Sequence, residues 1–338
     1  MKKKLDLMYP AMVIAALTTT LLTIGLLFNR GNHNDQSSDI INQNNPVTPS
    51  GTQDIKVEFE TTLKNVLPLL QYDPAYSKLN GDTLVIGDLH GNLDSLRYCE
   101  EQAMNYLRQC KNVLLLGDLV DKHGGGYDAS AECFLFAMRI KQMFPQQVIV
   151  LRGNHESTLQ GFPWGGVGCV MPRWCRKHQV DFELYASCCD ELPIACELSV
   201  GGHKYFVVHG GICEDLNPHN YIKFKMIRTR DDYEKQKITP EFKSLWNDGT
   251  EKNVIPWTPK ESDKLRKRFT KNETMAFLNQ FGYDAIIRGH DFHASTFTHN
   301  RCLITIMSDF KNSFNPNDTK NRRILYVTTQ YGLLEVKF

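Results

Sequence analysis

The chain has 338 residues, with 39 lysines and arginines against 38 acidic residues and a formal net charge of +1. That length supports one large domain or two small ones with a sizeable core, and the charge balance gives no ground for a nucleic-acid or other polyanion partner. Ten cysteines are scattered along it, with Cys188 and Cys189 adjacent and no C-x-x-C pair, which excludes a zinc-ribbon pattern and a small disulfide scaffold and makes core residues of most of them.

Residues 8–28, "MYPAMVIAALTTTLLTIGLLF", carry no charged side chain. As a helix this run reaches about 30 Å, enough to span a bilayer. A cleaved secretory signal has a shorter apolar stretch followed by a small-residue cleavage site. This run is longer and no such site follows, so an uncleaved transmembrane anchor is expected. A buried core helix is disfavoured because no polar face interrupts the run. Lys2, Lys3 and Lys4 precede it and Arg30 alone opposes them. The excess of positive charge puts the N-terminus in the cytoplasm and the rest of a single-pass protein on the non-cytoplasmic side. Residues 29–54 are rich in Asn, Gln, Ser, Asp and Pro, and cannot bury enough apolar area to offset their ordering entropy. A disordered linker is expected there, and a catalytic domain over 55–338.

Five apolar runs of strand length follow, each ending at once in polar residues. They are 84–86 in "TLVIGDLHG", 113–116 in "NVLLLGDLVDKHGGG", 148–151 in "QVIVLRGNHES", 205–208 in "KYFVVHGG" and 285–287 in "AIIRGHDFH". Between the first three lie "NLDSLRYCEEQAMNYLRQC" and "YDASAECFLFAMRIKQMF", both with helical spacing. Strand, helix and strand at about 30 residues per unit is the βαβ pattern of an α/β fold. Runs apolar on both faces suit a buried sheet covered by helices, whose chemistry gathers at the carboxyl ends of the strands. "RILYVTTQYGLLEVKF" at the end of the chain reads as a hairpin of two more strands.

Those strand ends deliver Asp88, His90, Asp118, Asn154, His209 and His290. A lone histidine after a strand is ordinarily a hydrogen-bonded core or surface residue, and a Gly-Asp pair is ordinarily a turn. Five such pieces, each after an apolar strand, are hard to credit to chance. Carboxylate and amide oxygens with imidazole nitrogens suit manganese, iron or zinc better than calcium. Six ligands fit two divalent ions, with Asp118 the best candidate for the bridge. A two-ion site holds phosphate oxygens and lowers the pKa of a shared water, giving a hydroxide for in-line attack on phosphorus.

"GDLHG", "GDLVDKH", "RGNHE", "HGG" and "RGH", in this order, resemble the signature blocks of the metal-dependent phosphoprotein phosphatases. That group includes calcineurin and the type-1 and type-2A serine/threonine phosphatases, within the calcineurin-like metallophosphoesterase superfamily. "LPIACEL", "HGGICEDL" and "SLWND" are similar to its eukaryotic-type members. The resemblance runs from about Gly81 to Phe338. It implies a central β-sandwich flanked by helices, a dinuclear metal site at strand C-terminal ends, and single-step hydrolysis of phosphoserine or phosphothreonine. By resemblance, Asp88, His90 and Asp118 hold one metal, and Asp118, Asn154, His209 and His290 the other. His155 matches the general acid and Asp121 the carboxylate that orients it. An acidic partner raises an imidazole pKa towards the protonated form an acid needs. Glu156 is expected to fix its loop.

One departure from the pattern is "SDFKN" at 308–312 in place of the family's "SAPNY" loop, and others fall at the phosphate grip. Lys122 stands where the family has arginine, keeping the charge without the planar fork. Arg266, in "KLRKRF", is preferred to Arg268 as the second phosphate ligand, and Arg152 is expected to help shape the phosphate site. Lys122 also lends some weight to a symmetrical dinucleoside-polyphosphate hydrolase of the diadenosine-tetraphosphatase type. A third reading is a non-catalytic membrane protein that binds phosphopeptides. A phosphoprotein substrate and, through the anchor, the membrane are the expected partners, and a regulatory subunit is left open.

Overall fold

Successive residues of the first βαβ strand face different cores: Leu84 and Ile86 enter a helix-covered layer, and Val85 enters a layer between two sheets. Period-two alternation between two apolar environments is what a strand buried on both faces requires. The computed structural model describes residues 51–121, 127–158, 170–252, 259–260, 263–291, 294–309, 322–330 and 332–338. In chain order the elements are α1 (Gly51–Tyr72), β1 (Tyr76–Asn80), β2 (Thr83–Ile86), α2 (Leu93–Arg108), β3 (Asn112–Leu115), α3 (Ser130–Met143) and β4 (Val148–Val150). Then come α4 (Val170–His178), α5 (Phe182–Asp190), β5 (Ala195–Val200), β6 (His203–Val208), α6 (Arg230–Gln236), α7 (Pro240–Trp246), β7 (Asp248–Gly249), β8 (Pro259–Lys260) and β9 (Asp263–Phe269). The last are α8 (Lys271–Phe281), β10 (Ala285–Arg288), β11 (Phe297–Thr298), β12 (Leu303–Thr305), β13 (Arg323–Thr328) and β14 (Gly332–Lys337).

Two sheets face each other, as the resemblance implies. One has the order β14-β13-β2-β3-β4 and the other β1-β5-β6-β10-β12-β11; β7, β9 and β8 form a small third sheet. The layer between the two large sheets is aliphatic, with Val85, Leu114 and Ile149 from one sheet against Val207, Ile287 and Ile304 from the other. Outside the five-stranded sheet pack Phe59, Leu63, Phe134 and Tyr185 from the helices; outside the six-stranded sheet pack Phe242, Trp246 and Phe277.

Register positions the site. In the parallel strands β2, β3 and β4, Ile86 pairs with Leu115 and Leu115 with Val150. In β6, β10 and β12, Val207 pairs with Ile287 and Ile287 with Ile304. Asp88, Asp118, Asn154, His209 and His290 each lie a few residues past those rows, so all five emerge at one end of the sandwich. The expected βαβ units and the C-terminal hairpin are present, the latter as β13 antiparallel to β14.

Helix α1 begins at Gly51, four residues ahead of the expected domain start, and is not singled out by the sequence reading. Phe59, Leu63, Val66 and Leu70, at helical spacing, are fully buried in the core. The anchor at 8–28 and residues 29–50 of the expected linker lie outside the described residues, whereas residues 51–54 of that linker are the first turn of α1 rather than disordered. Among the described residues, no helix is long and apolar enough to cross a membrane.

Candidate metal centre

Four residues of the cluster sit in left-handed backbone: His90 (φ 42°), Asp118 (φ 50°), Asp121 (φ 67°) and His290 (φ 71°). For residues with a side chain this costs on the order of 1–2 kcal/mol each, and such strain collects where function fixes the geometry. Backbone bonds hold it in place. Leu89 and His90 N–H both donate to the Asp118 carbonyl, at 3.0 and 2.9 Å, and Gly289 N–H donates to the His209 carbonyl at 2.9 Å. Close approach explains two glycines. A Cβ on Gly153 would overlap Asp118, and one on Gly289 would overlap the Asp88 carboxylate.

Asp118 is the hub. Its Oδ2 lies 3.2 Å from His209 Nε2 and 3.6 Å from His90 Nε2, while Oδ1 accepts from His155 N–H at 2.9 Å. Asp88 Oδ2 faces the same His90 Nε2 at 3.7 Å, and both Asp88 oxygens accept from His290 N–H at 3.1 Å. Asn154 Oδ1 stands 2.8 Å from His209 Nε2. The opposite ring nitrogens are committed to carbonyls: His90 Nδ1 to Val120, His209 Nδ1 to Leu116 and His290 Nε2 to Trp246. Such bonds fix which nitrogen turns inward. Glu156 accepts from the N–H groups of Asp118, Leu119 and Gly153, so it ties the second block to the third, as expected.

Asp88, His90, Asp118, Asn154, His209 and His290 are all buried. Burial pushes the Asp88 carboxyl up to about 7; the nearby Asp118 charge adds to this, and His209 with the His290 N–H opposes it. For Asp118 burial acts upward too, yet the facing imidazoles of His209, His155 and His90 hold its carboxyl well below the usual range. Burial first, then the Arg266 charge, keeps His290 neutral and able to ligate.

This donor set fits divalent metals. His209 Nε2 faces two oxygens while its Nδ1 donates to a third, so only an imidazolium or a cation between the atoms satisfies it. Two buried carboxylates in one pocket call for positive charge as well. Among the described residues, Asp118 belongs to both clusters that could hold an ion, His90–Asp118–His155 and Asp118–His209–His290, the ligand atoms within each lying within 4.8 Å of one another. The first of these clusters takes in His155 and leaves out Asp88, so it is not the ligand set expected from the resemblance.

His155 stands at the edge, its side chain 21% exposed where the Asp118 and His209 side chains are at most 2% exposed. Asp121 Oδ2 lies 2.9 Å from its Nδ1. Burial works against the charged form, but Asp118 and the Asp121 hydrogen bond raise the His155 pKa to about 9. The residues expected to bind phosphate fare differently. Arg266 lies beside the centre, 3.7 Å from Asp248 and close enough to influence His290. Arg152 does not line the site, contrary to expectation. It is fully buried, with Nε donating to Ser157 Oγ at 2.9 Å, Nη1 to the Phe224 carbonyl, and its guanidinium 4.3 Å from the Phe224 ring centroid. A polar pocket of its own draws this arginine into the interior. Lys122 lies outside the described residues. Two residues given no role by the sequence reading, Asp248 and Arg288, form a buried ion pair at 2.7 Å beside His290. Their signal was present in the "SLWND" and "RGH" blocks.

Buried carboxylates and imidazoles gathered at the strand ends of a β-sandwich, with a hydrogen-bonded His155–Asp121 pair at the rim, define a metal-dependent hydrolase of phosphate esters. A model of the calcineurin-like phosphoesterase family matches residues 82–293, and the chain belongs to that family. The serine/threonine-protein phosphatase 4 catalytic subunit of Candida glabrata is 27% identical over 225 residues, 66% of this chain and 66% of that protein. A protein serine/threonine phosphatase from Saccharomyces cerevisiae superposes with a TM-score of 0.64 at 21% identity, over 84% of this chain and 89% of the other. A cold-active protein tyrosine phosphatase superposes with a TM-score of 0.51 at 14% identity, over 77% and 78%. These two structures bear on the fold.

Proposed function

We propose that this chain is a metal-dependent phosphatase that hydrolyses phosphoserine and phosphothreonine in proteins directly, without a phospho-enzyme. One observation carries the reading: the His155–Asp121 pair, 2.9 Å apart, at the open edge of the buried cluster. Asp88, His90 and Asp118 would hold one divalent ion, and Asp118, Asn154, His209 and His290 a second; manganese is favoured, with iron and zinc the alternatives. When bound, such ions offset phosphate charge and supply a nucleophile from water at neutral pH. The protein does the rest. Arg266 grips phosphate oxygens through its guanidinium fork, a role supported by its place beside Asp248. By the resemblance alone, Lys122 would add a second positive charge. Asp121 accepts from His155 Nδ1–H and leaves Nε2–H for the departing oxygen. A serine or threonine alkoxide leaves poorly without that proton.

Protein rather than nucleotide substrate is supported by the blocks "LPIACEL" and "SLWND" and by the name of the Candida glabrata relative. An intact acid pair serves turnover and has no use in a purely binding protein. The apolar run at 8–28 supports a single-pass anchor, and Lys2, Lys3 and Lys4 support a catalytic domain on the non-cytoplasmic side.

A substrate panel tests the reading. The chain beginning at Gly51, supplied with manganese, should turn over a phosphoserine peptide and p-nitrophenyl phosphate faster than diadenosine tetraphosphate or a phosphotyrosine peptide. Preference for the dinucleotide would replace the protein substrate with a nucleotide. Silence on all four would leave only the binding role.

A further inference from the structure

Asp121 holds His155 with one oxygen and the start of a helix with the other. Its Oδ2 faces His155 Nδ1, and its Oδ1 accepts from the backbone N–H of Val170, the first residue of α4. The backbone N–H of Asp121 itself lies 2.8 Å from Ser130 Oγ, at the first residue of α3. A carboxylate engaged at both oxygens and at its own backbone cannot rotate without breaking a bond. The arrangement also gives a partner to a helix-start N–H that has none within the helix. Helix α4 is in turn well seated. Met171 and Cys175 are buried, and the Trp174 ring lies 4.9 Å from that of Phe59 on α1.

We propose that the backbone N–H of Val170 is a positioning group for the reaction. It holds Asp121 Oδ1 so that Oδ2 aims the His155 imidazole, and α1, through Phe59 and Trp174, sets where that N–H stands. This rests on His155 being the general acid of the proposed hydrolysis. The role is one of aim, so it matters only when the leaving group needs a proton.

Proline suits the first position of a helix and lacks an N–H, so Val170→Pro removes the donor while respecting the helix start. Val170→Ala keeps the donor and is the reference. In full-length, metal-loaded protein, V170P should lower kcat on a phosphoserine peptide about tenfold relative to V170A, with KM changed less than about twofold. Turnover of p-nitrophenyl phosphate, whose leaving group scarcely needs a proton, should differ by less than about twofold. In a His155→Asn background V170P should add no further loss, because the group it aims is gone. Equal phosphopeptide turnover by V170P and V170A overturns the proposal. So does an equal loss on both substrates, the mark of a general disturbance. Hydrogen exchange at the Val170 amide decides the matter even if V170P does not fold: Asp121→Ala should speed exchange relative to the wild-type chain, and unchanged exchange overturns the bond. A wild-type chain that hydrolyses p-nitrophenyl phosphate but no phosphopeptide overturns the substrate reading and this proposal together, whereas the Val170 outcomes fail alone.

Discussion

Asp118 and His155 divide the chemistry of the site between a buried hub and an exposed edge. Asp118 Oδ2 is within 4 Å of three imidazoles, those of His209, His90 and His155, and among the described residues it belongs to both clusters that could hold an ion. Asp118→Asn removes that charge and should cost about 10³-fold or more in activity, the several kcal/mol that metal-borne charge stabilisation supplies. Elemental analysis should show the loss of bound metal; a variant that keeps two ions and full turnover would contradict the bridging role. His155→Asn should lower phosphoserine-peptide turnover by about 10²–10⁴-fold, the usual worth of acid–base catalysis. It should matter much less for p-nitrophenyl phosphate, and an equal loss on both substrates would mark His155 as structural.

Helix α1 and the turn before β12 show how whole elements brace the site. Phe59 is fully buried, its ring centroid 6.4 Å from that of Phe134 and 4.9 Å from that of Trp174. Phe59→Ala should destabilise the fold by about 3–5 kcal/mol, read from the denaturant midpoint at constant slope. In the turn, His299, Asn300 and Arg301 all have positive φ, at 49°, 58° and 68°. Buried His299 links α8 to the segment after β7: Nδ1 lies 2.8 Å from Thr274 Oγ1, Nε2 lies 3.1 Å from the Thr250 carbonyl, and its N–H donates to Glu251. Burial lowers its pKa below the ordinary 6.5, with Arg288 and Lys271 assisting and the Thr250 carbonyl and Glu251 opposing. As pH falls below about 6.5 the unfolded chain takes up this proton before the folded one, so stability present above that pH is lost towards the folded pKa. Asparagine tolerates left-handed backbone, so His299→Asn should fold. Its Tm should fall less between pH 6.5 and pH 5, at about those values, than that of the wild-type chain. Parallel pH profiles would show that the proton goes elsewhere.

At the scale of the whole molecule, the proposed anchor sets which compartment the site serves. Carbonate washing should leave the protein in the membrane, and detergent should release it; release by carbonate would remove the anchor. Protease added to the cytoplasmic side of sealed vesicles should spare the catalytic domain, and its digestion there would reverse the orientation. The sequence alone determined the five strand ends, the βαβ order and the six candidate ligands, because apolar runs that stop at Asp, His or Asn beside Gly are local patterns. It also singled out His155 and Asp121, which the structure brings 2.9 Å apart, through the blocks they occupy. Only the tertiary structure decided what depends on contacts distant in sequence. Arg152 and Arg266 are both arginines near a signature block, yet Ser157, Phe224 and Asp190 draw the first into the interior and Asp248 keeps the second at the site. The pairing of Asp248 with Arg288, the packing of α1 and the hold of Val170 on Asp121 span separations of roughly 40 residues or more, which no local period encodes.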